Sequence, residues 1–128
     1  DVFIADSLGE MGLFFRLSPV TFLGGSLVPI GGHNIVEPMQ LGSALIVGPH
    51  MQSLRDITLK LAAKNALLQI NNGDELVLAV QKLLTDSLAR AQQVSAAEIA
   101  LHSEAQTLEN ILTAIRPALQ RANIPTVL

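Results

Sequence analysis

Four short apolar runs constrain this chain most: Val2-Phe3-Ile4, Val20-Thr21-Phe22-Leu23, Ala44-Leu45-Ile46-Val47 and Leu67-Leu68-Gln69-Ile70. Each is continuous rather than alternating, as expected of strands buried on both faces. Stretches of roughly 8–14 residues with helical spacing separate them. Repetition of strand, helix and strand builds a parallel sheet covered by helices, so the expected fold class is α/β. At 128 residues one core is expected, and no domain boundary falls inside the chain.

The connecting segments carry their own signals. Residues 8–17 hold Leu8, Met11, Leu13, Phe14, Phe15 and Leu17, which predicts a helix with a wide buried face, broken at Ser18-Pro19. Residues 35–41 predict a short helix stopped by Gly42. Residues 53–64 predict an amphipathic helix with Leu54, Ile57, Leu61 and Ala62 inward. Asn71-Asn72-Gly73 reads as a turn, and Asp74 as the cap of a helix whose apolar stripe is Leu76, Val77, Val80, Leu83 and Leu84. From about residue 87 to 115 the chain is helical by composition. Pro117 is expected to disrupt that helix, and Asn123-Ile124-Pro125 to fray. The expected division is a domain over 1–116 and a tail over 117–128.

Composition removes several function classes. Hydrophobic residues make up 49 % and charged ones 15 %, which argues for a well-buried interior and against disorder. A net charge of −3 gives no basic surface for nucleic acid, and four Phe without Trp or Tyr give no platform for stacked bases. The absence of cysteine excludes disulfides, thiolate metal sites and thiol nucleophiles, and fits a reducing compartment. No apolar run approaches the roughly 18–20 residues that span a bilayer. The chain opens on Asp1 with no basic leader, so it reads as the interior and C-terminal end of a longer protein.

The chemistry is expected in the loops after the first two strands, because ligands of parallel sheets sit outside the carboxyl ends of the strands. The second loop holds two glycine pairs, Gly24-Gly25-Ser26 and Gly31-Gly32-His33, before the helical pattern that begins near Ile35. Paired glycines let a ligand approach the backbone, and free N–H groups at a helix start favour an anion such as phosphate. Two readings of Asn34-Ile35-Val36-Glu37 stand together. Asn34 caps the helix while Glu37 reaches back in a capping box, with Pro38 in the first turn. Glu37 also sits at the mouth of the site, where a carboxylate could accept from ribose hydroxyls. In the first loop Asp6 or Ser7 caps the helix and Glu10 complements its dipole. Equally, Gly9 admits a ligand and Glu10 bonds it.

His33 and His50 lack a third ligand at metal spacing, which argues against zinc. His33 reads as a donor to an anionic ligand or as a loop-shaping residue, and His102 as solvent-exposed. Neither a Gly-x-Ser-x-Gly elbow nor a Walker-type Lys-Ser/Thr occurs, and Ser26 has no evident base.

The ordered blocks Asp6-Ser7-Leu8-Gly9-Glu10-Met11, Gly24-Gly25-Ser26-Leu27, Gly31-Gly32-His33-Asn34-Ile35-Val36-Glu37-Pro38 and Gly48-Pro49-His50 resemble the C-terminal half of 3-deoxy-D-manno-octulosonic acid (Kdo) transferases. The resemblance covers at least residues 2–57 and continues more loosely to about 115. It implies a Rossmann-like, C-terminal donor-binding domain of a GT-B glycosyltransferase, in which two such domains face a cleft. Missing first strands of that domain would leave an exposed sheet edge prone to association. The family transfers Kdo from CMP-Kdo to lipid A precursor, with inversion and without a metal or other cofactor. Carried over by position, Leu8, Gly9 and Glu10 with Asn34, Ile35, Val36 and Glu37 correspond to the CMP-contacting segments. Gly24, Gly25, Ser26, Gly31, Gly32 and His33 support the loop. The resemblance implies Glu37 on the ribose and the helix start around the phosphate.

The family's general base is a Glu of an N-terminal domain, which binds the acceptor and follows a membrane-anchoring segment. No catalytic residue is therefore expected in this chain. The full protein is expected at the cytoplasmic face of the bacterial inner membrane, and this chain in solution. Two departures stand out: Ser53-Leu54 where many members have Asn-Phe, and Ser18-Pro19-Val20 where many have Ala-Asp-Val. Alternatives are a GT-B domain for another nucleotide sugar, and a non-catalytic fragment acting as a packing module.

Overall fold

A computed structural model describes residues 2–6, 9–30 and 34–121. The elements in order are α1 (Met11–Leu17), β1 (Val20–Leu23), α2 (Val36–Gln40), β2 (Ala44–Val47), α3 (Arg55–Ala63), β3 (Leu68–Gln69), α4 (Gly73–Thr85) and α5 (Ser87–Arg121). The three strands form one parallel sheet in the order β1-β2-β3. Val20 pairs with Ala44 and Leu23 with Val47, while Ile46 pairs with Leu68. The expected α/β class, a parallel sheet with flanking helices, is what the chain forms.

β2 is apolar throughout because it feeds two cores. Leu45 and Val47 point into a cluster with Met39 of α2, Leu61 of α3 and Ala97 and Ala100 of α5. Ala44 and Ile46 point the other way, into a cluster with Ala79 and Leu83 of α4. Alternate side chains of a strand face opposite sides, so a central strand must be apolar at every position. α5 adds a polar tie: the buried Gln93 donates from Nε2 to the Leu45 carbonyl at 2.7 Å.

Five expectations need correction. Val2, Phe3 and Ile4 form no strand; they are irregular and 92, 82 and 84 % exposed. Three apolar residues gain little as a strand without a paired neighbour, and among the described residues their ring contact is Phe3 with Phe14, centroids 6.3 Å apart. α1 begins at Met11 and buries no residue fully; Met11, Leu13 and Leu17 are exposed. α4 is capped by Asn72, whose Oδ1 accepts from the Glu75 N–H at 2.9 Å, and Asp74 lies inside the first turn. Asn72 is the last residue with extended backbone, the conformation a cap needs. Val77 and Leu84 point to solvent, and Ala79 takes an inward position in their stead. Finally, α5 runs past Pro117 to Arg121. A proline lacks the N–H that bonds the carbonyl four residues back and its ring crowds that carbonyl, so the continuation runs against local preference. The tripeptide at 123–125 lies outside the described residues.

Candidate functional site

The site is built at the carboxyl ends of β1 and β2. β1 leads into a single 3-10 turn, Gly24–Ser26. Ser26 is fully buried; its Oγ donates to the Leu23 carbonyl and accepts from the Gly48 N–H at 2.6 Å. The Ser26 carbonyl in turn accepts from the His50 N–H at 2.9 Å. Ser26 therefore pins the loop after β1 to the loop after β2. Its hydroxyl is engaged in the fold, which accounts for a serine with no catalytic base.

This staple dictates Gly48. A Cβ there would lie 2.3 Å from the Ser26 carbonyl oxygen and 2.7 Å from the Leu27 nitrogen, both backbone atoms. The sequence marks Gly48-Pro49 as a strand end, whereas the reason for the glycine lies 22 residues away. Such a long-range contact leaves no local signal.

The helix that follows the first expected ligand segment meets the helix that carries the second. α1 packs on α2, and Gly12 faces Glu37: a Cβ on Gly12 would lie 3.7 Å from Glu37 Oε1. Gly12 was not singled out in the sequence, because a lone helical glycine without a partner in view has no distinctive pattern. Glu37 is half-buried in the first turn of α2, and its carboxylate makes no hydrogen bond among the described residues. Its backbone carbonyl accepts from Leu41. On the other side of Gly12, Gly9 takes a left-handed conformation (φ +85°) and Glu10 sits exposed at the start of α1. Leu8, Gly31, Gly32 and His33 lie outside the described residues.

The helix start differs in detail from the expected capping box. Asn34 Oδ1 accepts from the Val36 N–H at 3.0 Å, a turn two residues long, and Glu37 does not close the reciprocal bond. Ile35 is 1 % exposed, so its side chain belongs to the core and only its main chain can face a ligand. Val36 packs partly against the same core. Gly24 is exposed, and a Cβ there would meet nothing within 4 Å; Gly25 is half-buried. α2 spans five residues, so its dipole is a small part of the attraction for an anion. What remains is directional: the Glu37 carboxylate accepts, and the Asn34 Nδ2 is free to donate once its Oδ1 is used.

The chain is a parallel α/β domain whose loops after β1 and β2 are stapled together at the strand ends. No protein-family model matches the chain. It is 36 % identical over 93 % of its length to a 3-deoxy-D-manno-octulosonic acid transferase of Rickettsia typhi, covering 26 % of that protein. It is 33 % identical over 94 % of its length to one from Haemophilus influenzae, covering 28 % of it. The crystal structure of the C-terminal CMP-Kdo binding domain of WaaA from Acinetobacter baumannii matches with TM-score 0.72 and 39 % identity. That match covers 76 % of this chain and 51 % of that domain. Sequence and fold agree in assigning the chain to the C-terminal portion of the Kdo transferase family. The chain spans about a quarter of the length of these curated relatives. No helix among the described residues is long and apolar enough to cross a membrane.

Proposed function

We propose that the chain binds CMP-Kdo and forms the donor half of an inverting Kdo transferase. One observation carries the reading: the Glu37 carboxylate, without a hydrogen-bond partner among the described residues, faces Gly12 of α1. A half-buried carboxylate with open lone pairs is suited to ribose hydroxyls. The Asn34 amide then donates to the phosphate. As the glycosidic bond breaks, charge grows on the departing CMP phosphate, and fixed donors there stabilise it.

In the whole protein the acceptor is a lipid A precursor, and the general base comes from an N-terminal domain. The reaction needs no metal or other cofactor and takes place at the cytoplasmic face of the inner membrane. The domain comprises residues 1–116 and the tail 117–128, with α5 continuing from one into the other as far as Arg121.

Titration calorimetry with CMP, UMP and UDP tests the donor assignment. Tighter binding of CMP is expected, and preference for a uridine nucleotide would overturn it in favour of another nucleotide sugar. Glu37→Ala should weaken CMP roughly tenfold or more, the cost of about 1.5–3 kcal/mol for a charged hydrogen bond. Unchanged affinity would remove Glu37 from the site.

A further inference from the structure

A polar cavity opens one strand over from α2. It has a volume of about 280 Å³ and is lined by Pro49, Met51, Gln52, Arg55, Thr58 and Gln69, together with Leu59. Pro49 follows the stapled Gly48, so this cavity shares the loop that Ser26 pins. Four features set it apart from a surface dimple. Thr58 is 1 % exposed and its Oγ1 has no hydrogen-bond partner among the described residues. Arg55 opens the nine-residue α3, is exposed, and makes no ion pair among the described residues. The helix start has no side-chain cap at Leu54. Gln69 is held by an Nε2 bond to the Gly48 carbonyl at 3.3 Å, which leaves its Oε1 open among the described residues. Asp56, the acidic residue of the first turn, is exposed and does not line the cavity.

A guanidinium and helix N–H groups suit a carboxylate; amides and a hydroxyl suit sugar hydroxyls. The ligand matching both is an acidic sugar. Resting on the donor-binding reading above, we propose that this cavity receives the sugar-acid half of the donor: the Arg55 guanidinium takes the carboxylate, and Gln52, Gln69 and Thr58 take hydroxyls. Adjacent strands are about 4.8 Å apart, so a nucleotide at α2 and its sugar at α3 occupy neighbouring strand ends.

The test compares the affinities of CMP, CMP-Kdo and free Kdo for this chain and for Arg55→Gln and Thr58→Val. The wild-type chain should bind CMP-Kdo more tightly than CMP. Arg55→Gln should erase that advantage, roughly a tenfold loss or more for CMP-Kdo, while CMP affinity changes much less. Thr58→Val should reduce the advantage while melting no lower than wild type, because it deletes an unpartnered hydroxyl; a purely structural Thr58 would leave binding unmoved. An advantage of CMP-Kdo over CMP that is absent, or that survives both substitutions, overturns the proposal. If no nucleotide binds, free Kdo separates the two ideas. Saturable binding lost in Arg55→Gln keeps the cavity and sinks the nucleotide site; no binding sinks both.

Discussion

Ser26 and Gly48 hold the two site loops in register, and each has a distinct cost of removal. Ser26→Ala leaves the Gly48 N–H buried and unpaired, a loss of about 1–3 kcal/mol. Gly48→Ala forces a methyl into the Ser26 backbone and should cost about 3 kcal/mol, with the loops driven apart. Urea denaturation of both variants measures this. A Gly48→Ala variant as stable as wild type would mean the loops do not approach as described. Gly12 makes the contrast: a Cβ there sits at ordinary contact distance, 3.7 Å from Glu37 Oε1. Gly12→Ala should therefore fold normally and keep the carboxylate in place.

Among the elements, α4 offers the cleanest prediction. Its cap is Asn72, so Asn72→Ala should destabilise by about 1 kcal/mol, and Asp74→Ala by less, in thermal or urea melts. The reverse order would restore Asp74 as the cap. The neighbouring helix start shows how much of such detail is local. At α4 the sequence offers Asn71, Asn72, Asp74 and Glu75 together, at α2 Asn34 and Glu37, and the backbone conformation decides which side chain caps. The central strand was legible because β2 must be apolar at every position, whichever core each residue enters. Val2-Phe3-Ile4 has the same apolar character and no strand, because apolarity does not specify a pairing partner. The candidate ligand residues stand out in the sequence because glycine pairs and a Glu three residues after an Asn are local patterns, although the capping box they suggest does not close. The Ser26–Gly48 staple, the Gly12–Glu37 approach and the Thr58 cavity depend on contacts between distant segments, so the local sequence does not specify them.

For the whole molecule, β1 pairs on one side among the described residues, with β2. Near the amino terminus lie exposed apolar side chains of Val2, Phe3, Ile4, Met11, Leu13 and Leu17. On the donor-binding reading, the acceptor site and general base belong to another domain, so this chain should bind CMP-Kdo without passing Kdo to a lipid A acceptor. A transfer assay with the purified chain checks this, and measurable turnover would contradict it.

The central claim is that the start of α1 and the start of α2 form one nucleotide site. It is tested most directly by titrating CMP into the isotopically labelled chain and following each backbone amide by NMR. The account predicts saturable shifts concentrated at Gly9, Glu10, Gly12 and Asn34 to Glu37, with one common dissociation constant. Shifts confined instead to the cavity of about 430 Å³ beside the start of β3, lined by Lys64, Asn65 and Lys82, would contradict it.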